Sequence, residues 1–219
     1  MRLAFLGINP YQIICSNLGL GRSLVSQLAI NFHLSFQYLI PFFLPRCLMT
    51  PLDNLGITRC LLTDSDLTHL SQSPNISQLK GLYLSGVTMT YSSPELLPAL
   101  LEKVSATLQE LYLEQCGIRD SHLESILHIL SRCFQLMSFS LCGNLLSMAI
   151  MEKLLQHTSG LPRLSKELYP APQESFSSDG ILQPRRLSQS QTELLEILED
   201  LGHPRTIWII FTPLSTLRR

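Results

Sequence analysis

The sequence lacks a basic excess, paired cysteines and any catalytic signature, and each lack removes a class of function. Charged residues make up only 15% of the 219 positions, and the formal net charge is −1 with histidine neutral. A general nucleic-acid or acidic-lipid binder carries a clear basic excess, whereas the densest basic spot here is the pair Arg185-Arg186. The six cysteines, Cys15, Cys47, Cys60, Cys116, Cys133 and Cys142, include no Cys-x-x-Cys pair. So few in a chain of this size argue against a disulfide framework and fit a reducing compartment. His122 and His128 lie six residues apart, on different faces of a helix and away from any cysteine pair, so no metal site is expected. A P-loop, G-x-S-x-G, H-E-x-x-H and the kinase motifs are all absent, and Gly19-Leu20-Gly21 lacks the third glycine of a dinucleotide fingerprint. The expectation is a chain with no enzymatic activity, no cofactor and no metal.

Uninterrupted apolar runs are also short. Leu28–Pro45 is the greasiest stretch, but Asn31, His33 and Gln37 sit inside it. Pro41 and Pro45 break it before the roughly 20 residues that a bilayer span needs. Met1–Ile14 is interrupted by Asn9-Pro10 and is followed by no small-x-small cleavage site. An intracellular chain without a membrane segment is expected.

What the sequence does contain is a repeat. Four segments fit the frame L-x-x-L-x-L-x-x-(N/C/V). They are Leu52-x-x-Leu55-x-Ile57-x-x-Cys60, Leu79-x-x-Leu82-x-Leu84-x-x-Val87, Leu108-x-x-Leu111-x-Leu113-x-x-Cys116 and Leu136-x-x-Phe139-x-Leu141-x-x-Asn144. Their spacings are 27, 29 and 28 residues. One such segment means little in a leucine-rich chain, but four at near-constant spacing define a repeat architecture. The alternating apolar positions predict a short strand with one row of side chains in the core. The ninth position predicts an inward bend, where Cys or Asn satisfies backbone groups.

A helix must then return the chain, and start signals fall in the right places. Ser93-Pro94 offers a cap and a first-turn proline before Leu96, Leu97, Leu100 and Leu101. Ser121 and Glu124 have capping-box spacing ahead of Ile126, Leu127 and Leu130. Ser147 precedes Ile150, Met151, Leu154 and Leu155, and Asp64–Ser71 carries a shorter version around Leu67 and Leu70. A single repeat cannot bury its apolar face alone, so the units must stack. The predicted fold is α/β, a leucine-rich-repeat solenoid with short parallel strands on the concave face and helices outside.

Domain boundaries follow. Residues 1–50 read as a divergent, apolar, partly disordered leader, with Met1–Arg46 the least regular part. Residues 51–168 hold four clear repeats and a degenerate fifth beginning at Leu161-x-x-Leu164, with Lys166 where the third apolar residue belongs. Residues 169–211 should close the solenoid. They comprise a loop through Gly180, a helix over Pro184–Leu201 with Leu187, Leu194, Leu195, Leu198 and Leu201 on its apolar side, and a strand at Thr206–Phe211. Residues 212–219 form a tail.

The strings PLDNLGITRCLLTDSDLTHLSQ, LLEKVSATLQELYLEQCGI, ELYPAPQESFSSDGIL and DLGHPRTIW are long and specific. Through them the chain resembles, from about Pro51 to Trp208, the PRAME family of leucine-rich-repeat proteins (preferentially expressed antigen in melanoma). The resemblance implies a curved repeat fold and a cytoplasmic or nuclear location. It further implies a substrate-recognition role in a cullin-type ubiquitin ligase recruited through elongin, with control of transcription, proliferation, differentiation and apoptosis. Two segments depart from the family's pattern. No elongin/cullin-binding box is found in residues 1–46, and Thr212–Arg219 stands in place of the family's cysteine-containing tail.

The frame assigns its third, fifth and seventh positions to the concave face. These are Asn54, Gly56 and Thr58; Gly81, Tyr83 and Ser85; Glu110, Tyr112 and Glu114; and Ser138, Ser140 and Cys142. Tyr83 and Tyr112 should stack on neighbouring strands beside Glu110 and Glu114. An exposed tyrosine pair suits a protein-binding anchor. It also suits an ordinary cross-strand pair that stabilises the sheet. Leu97-Pro-Ala-Leu100-Leu101 matches a helical docking pattern, but the same leucines are needed in the core. Cys60 and Cys116 share one place in the frame and are expected to be structural.

Overall fold

The computed structural model describes residues 14–15, 27–31, 51–59, 62–87, 95–202 and 206–210. It contains eight strands, β1 (Ile14–Cys15), β2 (Gln27–Asn31), β3 (Asn54–Thr58), β4 (Gly81–Ser85), β5 (Glu110–Glu114), β6 (Ser138–Ser140), β7 (Lys166–Pro170) and β8 (Ile207–Ile210). They form one sheet in sequence order, with β1 antiparallel to β2 and all later neighbours parallel. The helices are α1 (Asp64–Gln72), α2 (Leu96–Val104), α3 (Asp120–Leu130), α4 (Met148–Thr158) and α5 (Pro184–Asp200). Strand and helix alternate from β3 to β8, an α/β repeat fold.

The leucines of the frame make the core. Leu55, Ile57, Leu82, Leu84, Leu111, Leu113, Phe139 and Leu141 are fully buried, against Leu67 and Leu70 of α1, Leu100 and Leu101 of α2, Ile126 and Leu130 of α3, and Leu154 and Leu155 of α4. Leu97, Leu100 and Leu101 are all buried, so the docking pattern in α2 serves packing.

Backbone bonds repeat with the sequence. The second-position carbonyls of Asp53, Lys80, Gln109 and Met137 each accept two N–H bonds from the second and third positions of the next unit. The last of these donors are Ser165 and Lys166, at 3.0 and 3.1 Å from the Met137 oxygen. The fifth unit therefore starts at Leu164, not at Leu161. Its frame is Leu164-x-x-Glu167-x-Tyr169, and Lys166 is a third-position residue on the strand face turned away from the helices. Glu167 takes a core position and is buried, accepting the Tyr169 hydroxyl at 2.7 Å, while the Tyr169 ring packs edge-on against Phe139. The expected loop thus begins only after Pro170. Thr206–Phe211 forms the expected strand over Ile207–Ile210 (Phe211 lies outside the described residues), pairing with β7.

The eighth position turns the chain out of the strand in a left-handed conformation. Arg59, Gly86, Gln115 and Gly143 occupy it with φ of 53°, 64°, 52° and 72°. At the ninth position Asn144 does what the frame predicts. Its side-chain oxygen accepts from the backbone N–H groups of Cys116 and Ile118, and its nitrogen donates to the carbonyls of Leu113 and Leu141, at 2.6–3.1 Å. All four groups lie in the buried interior. Cys116 is buried and its thiol donates to the carbonyls of Leu84 or Glu114, a structural place; Cys60 lies outside the described residues.

Two helix starts differ from expectation. Ser93-Pro94 lies outside the described residues, and α2 begins after Glu95 with no side-chain cap. In α3 the helix starts one residue before Ser121, and no capping box forms between Ser121 and Glu124. Instead His122 Nδ1 accepts the Arg119 N–H at 3.1 Å. Ser147 caps α4 through Ile150, and Thr63 with Asp66 forms a capping box on α1. Leu195, expected on the apolar side of α5, is 60% exposed, while Leu194 is buried.

In the segment expected to be a leader, β2 pairs residue for residue with β3, Gln27 opposite Asn54 through Asn31 opposite Thr58. A strand frame Val25-x-x-Leu28-x-Ile30 precedes Leu52 by one repeat length, a match the expected boundary at residue 50 does not include. Among the described residues no helix is long and apolar enough to cross a membrane.

Candidate functional site

Alternation along the strands puts the third, fifth and seventh positions on the sheet face opposite the helices. The strand register then aligns them in rows. One row runs Asn54, Gly81, Glu110, Ser138, Lys166. A second runs Gly56, Tyr83, Tyr112, Ser140, Leu168, Trp208. A third begins Thr58, Ser85, Glu114. All the face residues expected from sequence lie in these rows, with Cys142 continuing the third beyond the end of β6.

Tyr83 and Tyr112 stack as expected, with ring centroids 5.3 Å apart and an interplanar angle of 29°. The Tyr83 hydroxyl donates to Glu110 Oε2 at 2.8 Å. Gly81 makes this possible, because a β-carbon there would come within 2.6 Å of the Tyr83 ring and 2.7 Å of its hydroxyl. Burial, reinforced by the Glu110 carboxylate, pushes the Tyr83 hydroxyl well above its ordinary pKa of 10. On the other side of Tyr112, Glu114 Oε1 accepts the Ser140 hydroxyl at 2.6 Å. Ser140 is itself fully buried, so it positions Glu114 and is not a contact residue, contrary to expectation. Asn54, Thr58, Ser85 and Ser138 are partly exposed on the same face, as expected, along the margins of the aromatic row.

Lys166 was read from sequence as a misfit in the fifth unit, yet it belongs to this face. Its ammonium lies 5.7 Å from the Tyr112 ring centroid and 3.4 Å from the Tyr112 hydroxyl. To get there from β7 it crosses β6, where Ser138 and Ser140 are small enough to let it pass. Leu168 and Trp208 lie further along the tyrosine row, beyond Ser140, and Trp208 is 58% exposed with Ile210 beside it. Starting the fifth frame 28 residues after Leu136, at Leu164, would have found them.

Burial pushes the Cys142 thiol at the margin of the face above its ordinary range. Among the described residues no three His, Cys, Asp or Glu side chains converge to hold a metal ion. The arrangement is a stacked tyrosine pair bordered by two fixed carboxylates and one cation, with Leu168 and Trp208 further along the same row. It offers contact area and charge.

The PRAME C-terminal domain matches residues 38–216 of the chain, extending on both sides of Pro51–Trp208. Among curated human proteins, PRAME family member 12 is 56% identical over 162 residues, covering 74% of this chain and 34% of the relative. PRAME family member 8 and PRAME family member 7 are each 54% identical over 168 residues, covering 77% of this chain and 35% of the relative. The chain spans about a third of the length of these relatives. With the domain match covering most of the sequence and the strand frame and buried leucines in place, the chain belongs to the PRAME family.

Proposed function

We propose that the chain is a leucine-rich-repeat solenoid that binds another protein on its concave sheet face and catalyses no reaction. One observation carries this reading: Tyr83, Tyr112, Leu168 and Trp208 share one row across the sheet face, with Ser140 between Tyr112 and Leu168. Large, rigid aromatic groups on an open surface are the residues that anchor protein interfaces. Tyrosines placed only to stabilise the sheet would not require an exposed tryptophan three strands further along the same row.

Family membership supports a finer reading, in which the bound protein is a substrate brought to a cullin-type ubiquitin ligase through elongin. On this reading the chain works in the cytoplasm or nucleus and acts on transcription, proliferation, differentiation and apoptosis. The test is affinity purification of the tagged chain from cells, scored by mass spectrometry beside a Tyr112→Ala/Trp208→Ala variant. Proteins recovered by the wild type and lost by the variant are expected, with elongin and cullin subunits retained by both. Recovery of face-dependent partners without elongin or cullin would make the chain a stand-alone binding or repressor module. Equal recovery by both proteins would overturn binding through this face.

A further inference from the structure

The proposed binding face already holds a cation, and that contact indicates what its partner carries. Resting on the protein-binding reading, we infer that the partner presents an arginine or lysine side chain to the Tyr112 ring, between Glu110 and Glu114. Lys166 occupies that place in the unbound chain and gives it up on binding.

The geometry around Tyr112 selects for positive charge. Glu110, Tyr112 and Glu114 alternate along β5, so all three point to the same face with each carboxylate about 7 Å along the strand from the ring. An aromatic face attracts a cation, and flanking carboxylates strengthen that attraction where water is displaced. Each carboxylate accepts one internal hydroxyl, from Tyr83 and from Ser140, which fixes its direction and leaves it further acceptor capacity. Neither is in an ion pair among the described residues, where the ion pairs are Lys80–Asp53, Arg132–Glu102 and Lys153–Glu124. At the third, fifth and seventh positions of β3 to β8, Glu110, Glu114 and Lys166 are the charged residues. With Lys166 displaced the centre of the face carries two uncompensated negative charges, which complement a basic partner.

Lys166 is built to leave. It is exposed, and its Nζ–Oη separation of 3.4 Å is long for a charged donor. It reaches Tyr112 from β7 across β6, where the register places Ser138 and Ser140. A guanidinium is planar and stacks on an aromatic ring while forking onto carboxylates, so arginine suits the place better than lysine.

The test screens a positional nonapeptide library against the full chain, beside Glu110→Gln/Glu114→Gln, Lys166→Ala and Tyr112→Ala/Trp208→Ala variants. The expected result is that the wild type fixes a basic residue, arginine foremost, at one peptide position. The glutamine variant should lose that preference, and Lys166→Ala should bind the selected peptide about threefold or more tighter, as expected when a competing internal contact is removed. Binders that need Tyr112 and Trp208 but carry no basic residue would overturn the inference and leave the protein-binding face intact. So would a basic preference that survives the glutamine substitutions, or weaker binding by Lys166→Ala. If no peptide depends on Tyr112 and Trp208, both the inference and the binding face fall.

Discussion

Single residues in this chain carry their weight through backbone groups and through protonation. Asn144 satisfies two buried N–H groups and two buried carbonyls at once. Asn144→Ala should cost about 3–5 kcal/mol, since each orphaned buried group costs roughly 1–3 kcal/mol and some relaxation follows. Urea denaturation of the two proteins measures it. His122 is a second such residue. Burial first, and then the Arg119 charge, hold its pKa below the ordinary 6.5. A depressed folded-state pKa contributes stability that is present above the unfolded value and lost as pH falls through the folded one. Stability should therefore decline below about pH 6.5, with the start of α3 loosening first, and His122→Gln should show a smaller decline between pH 7.5 and 5. Tyr83 works in the opposite sense. Its raised pKa gives stability that is complete below about pH 10 and lost above it. Absorbance titration should show Tyr83 ionising at lower pH in Glu110→Gln than in the wild type.

At the scale of elements, strands were more legible than helices. The strand frame needs only alternation and a constant period, and its third to seventh positions are β3, β4 and β5 to the residue, while β6 stops two residues short at Ser140. Helix starts depend on which side chain reaches an N–H group, and local competition decides that. His122 took the place that Ser121 and Glu124 offered because its ring nitrogen sits opposite the Arg119 N–H. The fifth unit was misread because a buried glutamate does not look like a core residue. Glu167 becomes one only once the Tyr169 hydroxyl is seen to bond it. The same misreading hid Lys166 and Leu168 from the candidate site. The candidate face was thus readable on β3 to β6 and unreadable on β7. In α5 the period was right and the phase slightly off. Leu194→Ala should cost about 2–3 kcal/mol by removing a buried side chain, whereas Leu195→Ala should stay within about 0.5 kcal/mol. Thermal denaturation of the pair would show whether the helix docks by the face described.

At the scale of the molecule, the described strands pair only with their sequence neighbours, so damage should stay local. In Asn144→Ala, amide exchange is expected to quicken in β5, β6 and the start of α4 while β3 and α1 keep their protection. Uniform loss along the chain would mean that the units unfold together. The whole-molecule level is also where sequence said least. The leader carries a strand that extends the sheet beyond the first clear repeat, but its frame opens on Val25, and a leucine-based search passes over it.

The left-handed eighth positions have one more effect. Arg59 lies against Gly86, and Gln115 lies against Gly143, where an added β-carbon would come within 2.6 Å of the Gln115 side chain. Side-chain-bearing and bare residues therefore alternate at this bend over the four units, while the strand frame itself repeats in every unit. Excising or duplicating a single unit would set two side chains, or two glycines, side by side at this bend. An engineer grafting units between relatives would keep this alternation by counting in twos.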